Sequence, residues 1–367
     1  TLWTKTFGSD RDDEGETVQQ TTDGGYILVG LTSSLAGVDV WLIKTNANGD
    51  TLWTKTFGGS DSDIGKSVQQ TTDGGYIATG KFFTDTVIRN DAWVLKLDSN
   101  GDVVWQKVFN EGINDYTYYI QESEDGGFFI AGKTLITARN YDLWLLKLDA
   151  NGNNLWKRTY GGSEDDWASC LKKTSDGGYI LLGNTRSYGT GGSDAWVLKL
   201  NYRGEDLYVA WQKTYGGAFE DIAYSIQQTR DGGYIVAGWT NSFGSGVSDY
   251  DIWVLKLNQV GNVSWQKIYG GVNREMAYSI QQTADDGYIV AGDTFSFGAG
   301  NYDVWVLKLD ANGNVTWENT YGGASVEKAY SIQQTTDGNY IVAGEASSFG
   351  GSAGPDMWIL KLDSDGN

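Results

Sequence analysis

Two sets of carboxylates recur through this chain at fixed places. One set, Asp13, Asp63, Asp115, Asp166, Asp221, Glu275 and Glu327, precedes a short alternating stretch. The other, Asp39, Asp91, Asp142, Asp194, Asp251, Asp303 and Asp356, stands two places before a tryptophan. Carboxylates at this density suit a cation, a cationic partner, or paired acid–base work on a glycosidic bond. They equally suit acceptance of backbone N–H groups within their own loops, as Asp does in turns. Repetition in every unit favours the structural role. A third series, "DSNGD" (98–102), "DANGN" (149–153 and 310–314) and "DSDGN" (363–367), echoes the start of a calcium loop without its length or closing glutamate. The sibling turns "NYRGE" (201–205) and "NQVGN" (258–262) lose the first Asp and keep the Gly, so a hairpin is what they share, and no metal site is expected.

Absent residue types narrow the chemistry further. The 367 residues include no histidine and one cysteine, Cys170. That excludes Ser-His-Asp and Cys-His nucleophile systems, the usual zinc sites and any intrachain disulfide. Cys170 occupies the place of Ser225, Ser279 and Ser331 in other units, which suits a small packed residue. A net charge of −20 opposes nucleic acid and anionic lipid as partners, and no apolar run is long enough for this segment to insert in a membrane. No cofactor is implied, and the chain is read as not an enzyme.

The elements that position these residues follow from internal repetition. Trp3, Trp53, Trp105, Trp156, Trp211, Trp265 and Trp317 form one series, and Trp41, Trp93, Trp144, Trp196, Trp253, Trp305 and Trp358 a second. Together they define seven units, about 1–50, 51–102, 103–153, 154–208, 209–262, 263–314 and 315–367, within a single domain. Each unit reads as four strands: A ("IAYSIQQT", 222–229), B ("YIVAGWT", 234–240), C ("DIWVLKL", 251–257) and D ("VSWQKIYG", 263–270). Turn residues such as "RDGG" separate them. Four short antiparallel strands repeated seven times predict an all-β, seven-bladed β-propeller. The apolar middle strands suit blades that stack face to face. The last unit stops before its strand D, and "TLWTKTFG" (1–8) is a strand D without a preceding unit. The N-terminal strand is therefore expected to serve as the outermost strand of the last blade and close the ring, which limits unpaired edges.

The motifs "DAWVLKLDSNGD" (91–102), "TYGGAFEDIAYSI" (214–226) and "DGGYIVAGWT" (231–240) resemble the secreted bacterial and archaeal β-propeller repeat family, the SBBP-type repeat, over nearly the whole chain. Trp stands here where that family often has Phe or Tyr. The resemblance implies a cell-surface or extracellular module. Any leader would lie upstream of this segment, and the segment is expected to belong to a longer protein.

Departures from the repeat mark candidate binding positions. The B–C loops "KFFTDTVIRND" (81–91) and "KTLITARNYD" (133–142) lose the Ser-Phe-Gly pattern of 242–244, 296–298 and 348–350 and gain Lys81, Phe82, Phe83, Arg89, Lys133 and Arg139. A basic, aromatic patch on an acidic protein suits an acidic partner surface or a second copy of the chain. Only Trp167 and Trp239 fall outside the two tryptophan series, so they are the candidates for carbohydrate stacking. Glu122 and Lys172–Lys173 replace Gln in neighbouring units, as Glu14 and Lys328 differ in the first and last, and both sets are expected to pair across blade interfaces. The function expected is a non-catalytic extracellular or cell-surface interaction and assembly module that binds a protein partner or itself. The competing reading is a lectin-like, carbohydrate-binding propeller.

Overall fold

Strand C shows why the units fold as they do. "DIWVLKL" of the unit that starts at Asp221 is buried at every position, Asp251–Leu257, because it lies between strands on both sides and blades on both faces. Strand D, Val263–Tyr269, holds only exposed and half-buried residues, as an outermost strand should. In the computed structural model, which describes all residues except 36, 60, 84–89, 110–113, 138–139, 205, 245–249 and 350–353, the strands form seven four-stranded antiparallel sheets. Among the described residues no helix is long and apolar enough to cross a membrane.

We number the blades I to VII from the sheet that begins at Asp13–Gln20. Blade VII consists of Glu327–Gln334, Tyr340–Ala346, Asp356–Leu362 and Trp3–Phe7, with the N-terminal strand outermost. Its register runs antiparallel from Trp3 opposite Lys361 to Phe7 opposite Met357. The expected ring closure is thus formed. Trp3 then packs edge-on against Tyr26 of blade I, with ring centroids 6.0 Å apart. Trp53, Trp105, Trp211, Trp265 and Trp317 do the same to the next blade, as Trp211 does to Tyr234 at 5.8 Å, whereas Trp156 packs on Phe129 of its own blade.

Polar contacts also join the blades. Near the end of strand A, a glutamine of one blade accepts a hydrogen bond from the backbone N–H of the next. Gln20 N–H donates to Gln333 at 2.8 Å and Gln70 N–H to Gln19 at 2.6 Å. The following glutamine caps the preceding blade's turn, as Thr336 N–H donates to Gln20 at 2.9 Å. Blade IV breaks this belt, because Lys172 and Lys173 cannot accept. Lys173 pairs instead with Glu124 at 2.6 Å, and the Lys172 ammonium donates to the Tyr119 hydroxyl. Glu122 accepts from the Thr72 N–H and hydroxyl, both at 2.9 Å. The expected pairing of Glu122 with the two lysines does not occur, since each of these side chains reaches the preceding blade, Glu122 to blade II and the lysines to blade III.

A lysine in every strand C is buried among apolar neighbours. Lys44, Lys96, Lys147, Lys199, Lys256, Lys308 and Lys361 each reach the Asp of their own A–B turn, at 2.7 to 3.2 Å. That Asp also accepts from the turn, as Asp23 does from the Thr21 hydroxyl at 2.5 Å and the Gly25 N–H at 3.0 Å. Partial burial pushes the Asp23 carboxyl up, but Lys44, Thr21 and Gly25 outweigh it and hold it at about 2.

Candidate functional site

Asp13, Asp63, Asp166, Asp221, Glu275 and Glu327 of the first set, with Asp194 and Asp303 of the second, accept from the N–H groups of their own loops. The Asp63 carboxylate accepts from Gly59 N–H at 2.8 Å and Phe83 N–H at 2.7 Å. Glu275 accepts from Gly271 N–H at 2.7 Å, and Asp194 from Thr190 N–H at 2.7 Å. Opposed carboxylates flank a glycine at the blade junctions. A Cβ on Gly216 would lie 1.7 Å from Asp194 and 2.9 Å from Asp221, so nothing larger fits. Burial pushes Asp194 up to about 6, although the Thr190 N–H opposes it. In the C–D turns, Asp98 accepts from Asn100 N–H at 2.8 Å and Asp102 N–H at 2.9 Å, and Asn258 does the same in its turn. Asp is interchangeable with Asn there because both cap the same turn.

The blades differ at one structural position that sequence reasoning missed. Strand A pairs with strand B through a β-bulge in every blade, and the register slips between Gly15 and Thr17, Gly65 and Ser67, Thr117 and Tyr119, and so on to Ala329 and Ser331. The bulged residues are Glu16, Lys66, Tyr118, Ser169, Tyr224, Tyr278 and Tyr330, and all of them line the central cavity of about 830 Å³. A bulge re-aims a side chain out of the ladder, and here it aims one residue per blade into the channel. The strand-B glycine permits it. A Cβ on Gly30 would lie 1.8 Å from the Glu14 carbonyl oxygen, and on Gly344 1.8 Å from that of Lys328. The signal in the sequence is a small residue before the bulge opposite the last letter of "YIVAG".

Three bulged tyrosines form a continuous wall. Tyr224 and Tyr278 have centroids 5.1 Å apart, and Tyr278 and Tyr330 5.2 Å apart. Glu16 and Lys66 follow around the ring and form an ion pair between blades I and II. Near the mouth the sixth position of strand B also varies, through Leu31, Lys81, Lys133, Asn184, Trp239, Asp293 and Glu345. Asn184 shows its reach toward the next blade, accepting from Ala223 N–H at 2.8 Å.

The sequence candidates divide accordingly. Lys133 and Trp167 both line the channel, together with Tyr141, Asp165 and Arg186. The Lys133 ammonium sits over the rings of Tyr116 and Tyr141, 5.0 and 4.7 Å from their centroids, and burial lowers its pKa. Lys81 holds the equivalent place in blade II, half-buried. Phe82 stacks over its own Trp93 at 6.4 Å, as Phe243, Phe297 and Phe349 stack over Trp253, Trp305 and Trp358. It therefore replaces the phenylalanine of the lost Ser-Phe-Gly loop. Phe83 is half-buried with its N–H held by Asp63, so neither ring is the freely exposed apolar centre expected. Arg89 and Arg139 lie outside the described residues. Trp239 belongs to strand B rather than a loop, is buried, and packs on Tyr250 at 4.2 Å. Cys170 is buried in an apolar cluster. Lys328 pairs with Glu345 of its own blade at 3.0 Å, while Glu14 stands beside both.

No protein-family model and no curated relative matches the sequence. Solved structures resemble the fold. The Pan2 WD40 domain of Neurospora crassa is 12% identical, with 95% of this chain and 90% of that one covered and a TM-score of 0.58. Puromycin hydrolase is 13% identical with a TM-score of 0.61, over 97% of this chain, which spans 52% of that enzyme. YCF48, solved with a D1 peptide bound, is 11% identical with a TM-score of 0.55 and covers of 98% and 94%. At such identities the likeness establishes the propeller fold.

Proposed function

We propose that this chain is a non-catalytic interaction propeller that receives a segment of a protein partner in its central channel. The observation that carries this reading is the ring of bulged residues. Features common to every blade cannot distinguish one ligand from another. The bulged positions differ from blade to blade, and they converge on one cavity. Tyr supplies broad, rigid contact with a hydroxyl for hydrogen bonding, and the charged members set polarity and register. Most of the repeated carboxylates engage their own loops, which supports a role without catalysis. A propeller holding a peptide, as YCF48 does, has the same overall architecture.

The resemblance to the SBBP-type repeat supports an extracellular or cell-surface setting. Protease added to intact cells should cleave the natural protein if that setting holds, and protection of the whole protein until lysis would exclude it. Panning a random linear-peptide library on the immobilised propeller tests the function itself. It should enrich peptides whose binding is lost when Tyr224 and Tyr330 are both changed to Ser, the residue at Ser169 in blade IV. Peptides insensitive to that change would move the site elsewhere. The lectin-like alternative draws on Trp167 in the channel wall. A glycan array bound by the native protein but not by Trp167→Ile, with no peptide enriched, would favour it.

A further inference from the structure

In three blades the tip of the bulged residue meets the sixth residue of strand B. In blade IV the Asn184 amide donates to the Ser169 hydroxyl at 2.8 Å, and in blade V the Trp239 indole N–H donates to the Tyr224 hydroxyl at 3.4 Å. In blade VII the Tyr330 hydroxyl donates to the Glu345 carboxylate at 3.1 Å. Blade III fills the same two places with Tyr118 and Lys133, and both line the channel. Among the described residues, however, the Lys133 ammonium has neither a hydrogen bond nor an ion pair, and the Tyr118 hydroxyl has no hydrogen bond. Asp165 attracts Lys133 without closing to an ion pair, and its carboxylate accepts from the Tyr141 N–H at 2.9 Å. The other lysines lining the channel are engaged, Lys66 with Glu16 and Lys172 with the Tyr119 hydroxyl. Arg186 is held by Glu220 at 3.1 Å and Ser193 at 2.9 Å. Lys133 thus lacks a counter-ion in a chain of net charge −20, although a half-buried ammonium gains much from one.

We propose that Lys133 and the Tyr118 hydroxyl form the seat for a carboxylate of the partner segment, with Trp167 on the blade IV side. The proposal rests on the channel being the partner site. Both groups are donors in search of an acceptor, and an ammonium has no acceptor capacity of its own. A carboxylate takes one hydrogen bond on each oxygen, and the bond from the ammonium is charge-assisted and strong. The Tyr116 and Tyr141 rings hold the ammonium by their faces, 5.0 and 4.7 Å from their centroids, which leaves its N–H groups without an oxygen to meet. Lys133 holds the place of Asn184, whose amide reaches Ala223 of the next blade at 3.1 Å. The counterpart of Ala223 facing Lys133 is Ala168, directly after Trp167, so the indole flanks the seat and its N–H has no partner among the described residues.

The test is calorimetry at low ionic strength with acetyl-Gly-Glu-Gly-amide and its glutamine counterpart, which keeps the shape and loses the charge. The glutamate peptide should bind at least about tenfold tighter. Lys133→Asn should remove most of that preference. Asn184 holds this place in blade IV, so the fold should tolerate it, and an unchanged unfolding temperature checks this. Lys133→Arg keeps the charge and should keep the preference. Tyr118→Ser, after Ser169 in blade IV, should weaken the glutamate peptide about threefold. Acetyl-Gly-Gly-Gly with a free C-terminus separates the two sources of carboxylate: tighter binding than the glutamate peptide assigns the seat to a chain end, and weaker binding to a side chain. Equal binding of the glutamate and glutamine peptides, or an unaltered preference in folded Lys133→Asn, overturns the proposal and leaves the channel reading standing. Binding of glutarate that Lys133→Asn abolishes, with no binding of any peptide, sustains the carboxylate seat and overturns the peptide-module reading.

Discussion

The two ends of the blades are built on opposite plans. At the end carrying the A–B and C–D turns, every blade repeats one device, a buried lysine locked to the turn aspartate, from Lys44–Asp23 to Lys361–Asp337. Toward the other mouth of the channel the corresponding places hold acid, base, amide, aromatic and aliphatic residues, from Leu31 and Lys81 to Trp239 and Glu345. Uniform contacts hold the ring together. Variable ones at the bulged positions, all lining the same cavity, are available to recognise something. Because the ring's packing rests on the uniform set, exchanges at the bulged positions should cost less stability than exchanges within that set.

Removing a shared element should break the molecule hardest. Deleting residues 1–8 strips the outer strand from blade VII and the Trp3 contact from blade I, and should lower the unfolding temperature by roughly 10 °C or more in a thermal scan. An unchanged midpoint would mean the ring does not depend on closure. Next in size is Asp231→Ala, which leaves the Lys256 ammonium, 2.8 Å from that carboxylate, buried without its partner. Urea unfolding should show a loss of about 1–3 kcal/mol. Tyr224→Ser, at a bulged position, should cost about 1 kcal/mol, the value of one aromatic contact. If it costs more than Asp231→Ala, the division between holding and recognising fails.

The pH dependence separates the two ends by sign. The turn aspartates Asp23, Asp73, Asp125, Asp231, Asp285 and Asp337 are held at about 2 in the fold. Their contribution is present above the unfolded value near 4 and is lost as pH falls toward 2. Asp293 and Glu14, raised to about 7 by burial, act the other way. Their contribution is complete below about pH 4 and is lost as pH rises through 7. Asp293→Asn should therefore raise the unfolding temperature at about pH 8 and leave it nearly unchanged at about pH 3. An equal effect at both would show that Asp293 does not titrate in this range. The smallest effect expected is none. EDTA should leave the unfolding temperature unaltered, because the C–D turn carboxylates already accept backbone N–H groups, as Asp98 does. A clear drop would return those turns to the calcium reading.

The number of blades, the order of strands and the closure by residues 1–8 were legible in the chain, because two tryptophan series mark the period and the last unit lacks one strand. The loop role of the repeated carboxylates was legible for the same reason of repetition. What faces the channel was not. Side chains alternate along a strand, and a single bulge reverses that alternation after Gly15 and its six counterparts, so the pattern of letters misassigns Glu16, Lys66 and Tyr330. The lysine of "WVLKL" was hidden in an apolar run although its aspartate recurs in every unit. Cross-blade partners also lie far apart in the chain, with Lys66 and Glu16 separated by 50 residues and Gln20 and Gln333 by 313. Local sequence sets which strands form. Only the packed ring decides which of their side chains meet, because curvature and bulge together choose the residue that each blade turns inward.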